Sequence, residues 1–289
     1  MNPADIARLV SLAAIWGASF MCVRYAAPAI DAAWLTALRV GLAALAMLAY
    51  ARATGLSLEW RRHWRTYTVM GLLHTALPWS MYAAASHSIG AGTMAILNAT
   101  TPWFGALFGA IWLGEKMTPR KLAGLALGIA GVAALTGLAP VAMTGGVLAA
   151  TGLSVLACIC YALAGTYVKL RNSGAPPLAL TTGSLIVATL AVLPFVSGPP
   201  PLAALASPKV ATAVLNLALV CSAAAFVIYY RLLANVGPTR ALTVTFLIPV
   251  FGVLFGALLL GETVTLPTVA GGLLIIIATA LVAGGGRSA

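Results

Sequence analysis

Polar and aromatic side chains recur on one face of an otherwise apolar segment between residues 66 and 87. The stripe consists of His74, Thr75, Pro78, Tyr82 and Ser86, with Trp79 at its edge. These positions follow helical spacing. An imidazole, hydroxyls and a phenol in an apolar helix indicate a surface that faces the protein interior and not lipid.

The same chemistry appears in other apolar segments. Flat amphipathic rings suit an aromatic or large apolar side chain, since ring contacts add about 0.5 to 1.5 kcal/mol beyond burial. Amide and hydroxyl groups beside them would hold an α-amino and an α-carboxyl group. The predicted substrate-binding residues are Trp16, Ser19, His74, Thr75, Trp79, Tyr82, Asn98, Thr101, Trp103, Tyr161, Tyr229, Thr243 and Thr245.

Catalytic chemistry finds little support in the residue types. The five carboxylates are Asp5, Asp31, Glu59, Glu115 and Glu262, and each falls at the end of an apolar segment or in a connection. An intramembrane enzyme needs paired groups inside the segments, so we expect no enzyme and no catalytic residues. The four cysteines lie inside apolar segments without the spacing of a metal site or disulfide framework. We expect neither a metal nor a cofactor.

His74 is the best candidate for a residue that titrates during transport, because imidazole changes charge near physiological pH. Two interpretations remain open for it. The first is a proton-coupling residue, and the second is a neutral, hydrogen-bonded histidine that steadies its helix against a neighbour.

The composition defines an integral membrane protein. The 289 residues are 62% hydrophobic and 7% charged, against about 25% charged in soluble domains. The net charge of +11 does not indicate nucleic-acid binding, because the basic residues are spread between apolar segments. A basic and aromatic patch at 61–65 fits anionic lipid headgroups instead.

The apolar segments predict ten membrane-spanning helices, since a span needs about 20 apolar residues. They lie near 6–27, 33–53, 66–87, 91–113, 121–138, 146–168, 177–196, 209–231, 239–260 and 266–284. With the N-terminus in the cytoplasm, all but Arg24, Arg39 and Lys209 of the 16 Lys and Arg residues fall on the cytoplasmic side. This bias predicts that both termini are cytoplasmic. Arg39 is expected to reach the interface, or alternatively to hold a helix end or a substrate carboxylate.

Residues 97–115 are repeated at 244–262. Six positions recur with an offset of 147: Pro102, Gly105, Phe108, Gly109, Gly114 and Glu115 match Pro249, Gly252, Phe255, Gly256, Gly261 and Glu262. The offset divides the chain into halves 1–145 and 146–289 with five predicted spans each. An odd number of spans inverts the second half in the membrane, an arrangement typical of secondary transporters.

Prolines and glycines in these copies carry structural predictions. Pro78, Pro102 and Pro249 each remove a helix hydrogen bond, so we expect helix breaks or hinges there. The carbonyls of Asn98 and Thr245 would be freed by the last two. The glycine pairs are expected to allow close approach of neighbouring helices. Glu115 and Glu262 are expected to bond a neighbouring helix.

The sequence resembles the EamA branch of the drug/metabolite transporter superfamily. The resemblance rests on 16–20 (Trp-Gly-Ala-Ser-Phe), on Leu38-Arg39, and on the two copies that end in Gly-Glu. It covers nearly the whole chain, and within the branch it is most similar to the YddG-type exporters of aromatic amino acids. It implies a bacterial inner-membrane protein with a central cavity lined by spans 1, 3, 4, 6, 8 and 9, braced outside by spans 5 and 10.

The expected function is therefore export of aromatic and other apolar amino acids by alternating access, without an obligatory ion partner. The alternative is a multidrug or metabolite exporter coupled to protons, although residues 16–19 lack the glutamate that small multidrug relatives carry in their first span. Transport of anionic cargo such as sugar-nucleotides would need basic residues around a central cavity, and spans 3, 4, 8 and 9 hold none there. We expect amino acids and membrane lipids as partners, and the chain to function as a monomer.

Overall fold

The computed structural model describes residues 1–137, 144–171, 174–237, 241 and 243–283. Two predicted cytoplasmic residues, Arg240 and Arg287, lie outside them. The helices are α1 Pro3–Ala26, α2 Ala32–Thr54, α3 Trp60–Met70, α4 Leu77–Ala85, α5 Ala91–Asn98, α6 Thr101–Leu113, α7 Pro119–Gly137, α8 Gly145–Arg171, α9 Pro177–Val192, α10 Leu202–Leu205, α11 Pro208–Leu215, α12 Ala225–Val236, α13 Val244–Leu260 and α14 Leu266–Ala283.

Six helical stretches among these residues are long and apolar enough to cross a membrane. They are Pro3–Ala26, Ala32–Thr54, Ala91–Leu113, Gly145–Arg171, Pro177–Phe195 and Pro208–Val236. The helices that end the chain, Val244–Leu260 and Leu266–Val282, are apolar but shorter. The predicted all-α membrane architecture is confirmed at this level.

Two π-helices interrupt the α-helical path. The first, Gly71–Ala76, joins α3 to α4, and the second, Asn216–Ala224, joins α11 to α12. Adding 147 to the first range gives 218–223, which lies inside the second. A π-turn carries an extra residue, shifts the side chains that follow it, and is found mostly at functional sites.

The proline positions give mixed outcomes. Pro102 lies in the first turn of α6, directly after the chain leaves α5 at Asn98, and Pro78 opens α4 behind the first π-helix. The predicted break at Pro249 is wrong, because α13 runs through this proline without interruption. Pro249 is buried, and membrane helices tolerate proline where neighbours compensate the freed backbone group.

Helix α13 is packed closely between α1 and α5. A Cβ built on Gly252 would lie 2.3 Å from the Cβ of Ala95, and one on Gly17 would lie 2.6 Å from the Cβ of Phe251. The predicted close approach at Gly252 is confirmed. At Gly105 it is wrong, since a Cβ there would meet nothing within 4 Å.

Candidate substrate site between the helices

A connected group of aromatic rings joins four elements of the bundle. His74 in the first π-helix contacts Tyr161 of α8 edge-on, with ring centroids 5.2 Å apart, and contacts Phe226 of α12 at 6.3 Å. Phe226 in turn lies 6.3 Å from Trp16 of α1, which lies 5.5 Å from Tyr229. We call these five residues the ring cluster.

The ring cluster lies between helices, yet each of its members keeps part of its surface exposed. Large rings in a packed interior are normally enclosed by their neighbours. Partial exposure at this position fits a surface that can contact a solute. Four of the five were predicted site residues; Phe226 was not, although its i+3 and i+4 spacing to Tyr229 and Tyr230 places it on the same helix face.

A second group of interacting side chains includes Tyr82 and Asn98. The hydroxyl of Tyr82 donates to Oδ1 of Asn98 at 3.2 Å and lies 3.5 Å from Sγ of Cys158. The Tyr82 ring meets Phe20 edge-on at 5.2 Å. Asn98 is partly exposed, whereas Tyr82 is buried. These contacts link α4, α5 and α8, and they leave the Asn98 side chain partly exposed.

The carbonyl of Asn98, which Pro102 deprives of its helical donor, has found another partner. Oγ1 of Thr101 donates to it at 2.8 Å. This is the internal compensation that hydrocarbon demands. The Thr101 hydroxyl therefore satisfies one acceptor site of this carbonyl.

The prediction that Trp103 binds substrate is wrong. Its Nε1 donates to Oγ1 of Thr279 on α14 at 3.1 Å, and that hydroxyl lies 2.7 Å from the carbonyl of Ala99. A Cβ on Gly128 of α7 would lie 2.2 Å from the Trp103 ring. Trp103 therefore packs toward α7 and α14.

The remaining predicted residues lie in several environments. Ser19 and Thr75 are buried, and the described contacts do not link them to the ring cluster. Thr243 is the N-cap of α13, and Thr245 follows in its first turn; both are partly exposed. Trp79 is buried beneath the guanidinium of Arg39, with Cζ 3.7 Å from the ring centroid.

The two repeated glutamates occupy different environments. Glu262 accepts hydrogen bonds from the backbone N–H groups of Ala91 at 2.7 Å and Gly92 at 3.2 Å, at the start of α5. This confirms the predicted bond to a neighbouring helix. Glu115 lies 3.5 Å from Nζ of Lys121 on α7 and of Lys169 on α8, which confirms the same prediction for this glutamate.

Two clefts lie away from the ring cluster. One of about 390 Å³ is lined by residues of α1, α11, the second π-helix and the end of α13, including Cys22, Lys209 and Asn216. Another of about 190 Å³ lies between α13 and α14 and is almost wholly apolar. Neither includes a member of the ring cluster.

Apolar membrane-length helices around a partly exposed, aromatic interior surface are typical of a multi-pass membrane protein. The chain belongs to the EamA-like transporter family, whose model matches it twice, at residues 6–137 and 146–284.

Relatives with similar sequences span nearly the full chain. The uncharacterized transporter YvbV of Bacillus subtilis is 26% identical over 92% of this chain and 86% of its own length. The uncharacterized inner membrane transporter YedA of Escherichia coli K12 is 26% identical over 89% and 83%. A solved crystal structure superposes with a TM-score of 0.66 at 16% identity, covering 97% of this chain and 96% of its own, which shows the fold alone.

Proposed function

We propose that this protein is a secondary transporter that moves aromatic and other apolar amino acids out of the cell by alternating access. The observation that carries the proposal is the ring cluster of Trp16, His74, Tyr161, Phe226 and Tyr229, contributed by α1, the first π-helix, α8 and α12. These elements come from both halves of the chain. A solute held there would therefore respond to movement of one half against the other.

The chemistry of the cluster suits an aromatic side chain. Edge-to-face and tilted ring contacts already hold its members together, and a further ring can join them in the same way. The Asn98 amide, partly exposed beside Tyr82, can hydrogen-bond a polar backbone group. Contacts of this kind give moderate affinity, which favours release on the far side.

Alternating access also needs two related halves, and several features support an inverted repeat of five spans each. The family model matches each half separately. Both π-helices fall at equivalent positions. Gly114 and Gly261 end their helices with left-handed φ values of 67° and 68°, followed in each copy by the glutamate. Ten spans and an upside-down second half account for these equivalences.

The two glutamates join the halves at both ends of the bundle. With both termini cytoplasmic, the bond of Glu262 to Ala91 lies at the outer end, and Glu115 lies at the inner end, where it pairs with Lys121 and with Lys169 of the second half.

His74 favours one alternative function, a multidrug or metabolite exporter coupled to protons. It is the member of the ring cluster whose unperturbed pKa lies nearest to physiological pH. It has ring contacts on two sides, with Tyr161 and Phe226, which fit a neutral packed histidine equally well. The two functions differ in whether a pH gradient drives transport.

The cellular setting completes the proposal. The similar YedA protein is named an inner membrane transporter. The distribution of basic residues favours cytoplasmic termini. Arg61, Arg62 and Arg65 are exposed on α3 beside Trp64, where they can meet anionic headgroups. We propose a monomer in the bacterial inner membrane.

Purified protein in liposomes tests the function. Uptake of labelled phenylalanine, tryptophan, threonine and a lipophilic cation would be measured with and without a pH gradient. We expect saturable movement of phenylalanine and tryptophan that follows their own gradients. Rapid exchange of the cation against protons, without movement of either amino acid, would contradict the proposal and favour the alternative.

A further inference from the structure

Arg39 is a basic residue buried inside the membrane-spanning bundle. It lies seven positions after Ala32, the first residue of α2, which is roughly 10 Å along the helix. Its side chain does not reach the interface, because the residue is only 8% exposed. The expectation that Arg39 extends to the membrane surface is therefore wrong.

Four elements surround its guanidinium. Cζ lies 3.7 Å from the ring centroid of Trp79 in α4, and Nε donates to Oγ of Ser222 in the second π-helix at 3.2 Å. Tyr161 of α8, Cys22 of α1 and Cys221 are close enough to interact with the charge. Tyr161 is also a member of the ring cluster, so the cation lies near that cluster.

The charge has no carboxylate partner in the described chain. Asp5 pairs with Arg8, Glu59 with Arg62 and Glu115 with two lysines. Asp31 and Glu262 accept from backbone N–H groups. A cation inside a membrane without a counter-ion is costly and is retained for function.

The terminal amino groups of Arg39 are available to a ligand. Its one hydrogen bond to a described residue uses Nε, so both terminal nitrogens lack an acceptor among the described residues. Among the described residues, the side-chain atoms that are fully buried and unpaired are the hydroxyls of Thr100 and Thr151. The terminal nitrogens of Arg39 are not among these fully buried atoms.

The repeated fold itself does not require a charge at this place. The N-caps of α2 and α9, Asp31 and Pro176, differ by 145 positions. The same offset relates Arg39 to Ser184, a buried serine that donates to the carbonyl of Thr181 within its own helix. One half thus builds an equivalent helix without any basic residue.

We propose that Arg39 binds the carboxylate of the transported molecule. The planar guanidinium, held over the Trp79 ring, offers its two terminal amino groups to both oxygens of a carboxylate. The rest of the solute then extends past Tyr161 onto the ring cluster. The proposal rests on the proposed function for the identity of the solute as an aromatic amino acid, but the carboxylate requirement itself comes from Arg39.

Competition for labelled phenylalanine uptake in liposomes tests this assignment. Unlabelled hydrocinnamate keeps the carboxylate and lacks the amine, whereas phenylalaninamide and phenethylamine lack the carboxylate. We expect phenylalanine and hydrocinnamate to compete at concentrations at least about tenfold lower than the other two compounds, as for a lost charge-assisted hydrogen bond. Equal competition by all four in the wild type would overturn the proposal without any variant.

Variants sharpen the test, because the ratio of competing concentrations does not depend on the amount of folded protein. In Arg39→Gln the ratio should fall toward one, and Arg39→Lys should retain part of it. Arg24→Gln, which removes a neighbouring arginine that donates to the carbonyl of Ser86, should leave the ratio unchanged. A ratio in Arg39→Gln as large as that of the wild type would overturn the assignment.

The same liposomes separate the two proposals. Uptake of labelled hydrocinnamate that Arg39→Gln abolishes, in protein that moves no amino acid, would support the carboxylate site and contradict the proposed function. Amino acid uptake with no preference for the carboxylate would leave the proposed function standing and overturn the role of Arg39.

Discussion

Oε1 of Glu262 lies 2.7 Å from the backbone nitrogen of Ala91 and accepts its hydrogen bond, so a side chain from the end of α13 caps the start of α5. The capping residue of α5 itself, Gly90, has no side chain for this purpose, and Glu262 supplies the negative charge that a helix N-terminus favours. The contact joins residues 171 positions apart. It fixes the distance between the two halves at this end of the bundle.

Removing the charge should loosen this end. Glu262→Gln keeps the size of the side chain but weakens the cap by about 0.5 to 2 kcal/mol. We expect amide hydrogen exchange in residues 91–98 to accelerate about two- to thirtyfold, measured by mass spectrometry on protein in detergent. Glu115→Gln serves as the control and should leave this segment unchanged. Equal protection in Glu262→Gln and wild type would show that the cap does not hold α5.

Gly256 forms part of the space that the Glu262 carboxylate occupies. A Cβ at this position would lie 2.5 Å from Oε2 of Glu262, whereas one at Gly105 would meet nothing within 4 Å. We expect Gly256→Ala to destabilise the protein by about 1 to 3 kcal/mol. Gly105→Ala should have no effect or stabilise by up to about 1 kcal/mol, because alanine favours a helix. Thermal unfolding of both variants in one detergent measures the difference, and equal melting temperatures would contradict it.

Thr279 should matter for stability and not for the substrate. Thr279→Val keeps the shape of the side chain but leaves Nε1 of Trp103 without its acceptor, at a cost of about 1 to 3 kcal/mol. The KM for phenylalanine should remain within about twofold of wild type, because a packing residue contributes little to binding. Thermal unfolding and liposome uptake would be measured on the same preparation. An unchanged melting temperature with a raised KM would return Trp103 to the substrate site.

His74 distinguishes the two candidate functions. His74→Ala removes the imidazole between Tyr161 and Phe226. We expect transport in this variant to follow the substrate gradient and to remain insensitive to an imposed pH gradient, as in wild type. Measured coupling to protons in wild type, lost completely in His74→Ala, would identify the histidine as the coupling residue.

The sequence predicted those features that depend on composition and fixed spacing. The apolar helices, the bond of Glu262 and the close approach at Gly252 follow from residue type and the offset of 147. The π-helices could not be predicted, because an extra residue in a turn leaves no mark in composition. Phe226 could have been found from its spacing to Tyr229.

Other errors came from missing partners. The segments that contain Trp103 and Arg39 do not show in which direction these side chains point. Their directions are fixed by Thr279 and Ser222, which lie 176 and 183 positions away. The orientation of a helix about its axis is set by such contacts, and a single apolar segment does not reveal it. The helix break predicted at Pro249 is wrong for a similar reason. The packing of α13 between α1 and α5 decides whether the helix continues through this proline.

The most direct test of the account measures saturable phenylalanine uptake by wild-type protein and Trp16→Leu in matched liposomes. Trp16 contacts both Phe226 and Tyr229, and leucine preserves an apolar side chain without the aromatic face. We predict saturable uptake in wild type, with a KM about three- to tenfold higher in Trp16→Leu, equivalent to the loss of about 0.5 to 1.5 kcal/mol of ring contact. Absence of saturable uptake in wild type, or an unchanged KM in Trp16→Leu, would contradict transport of aromatic amino acids through the ring cluster.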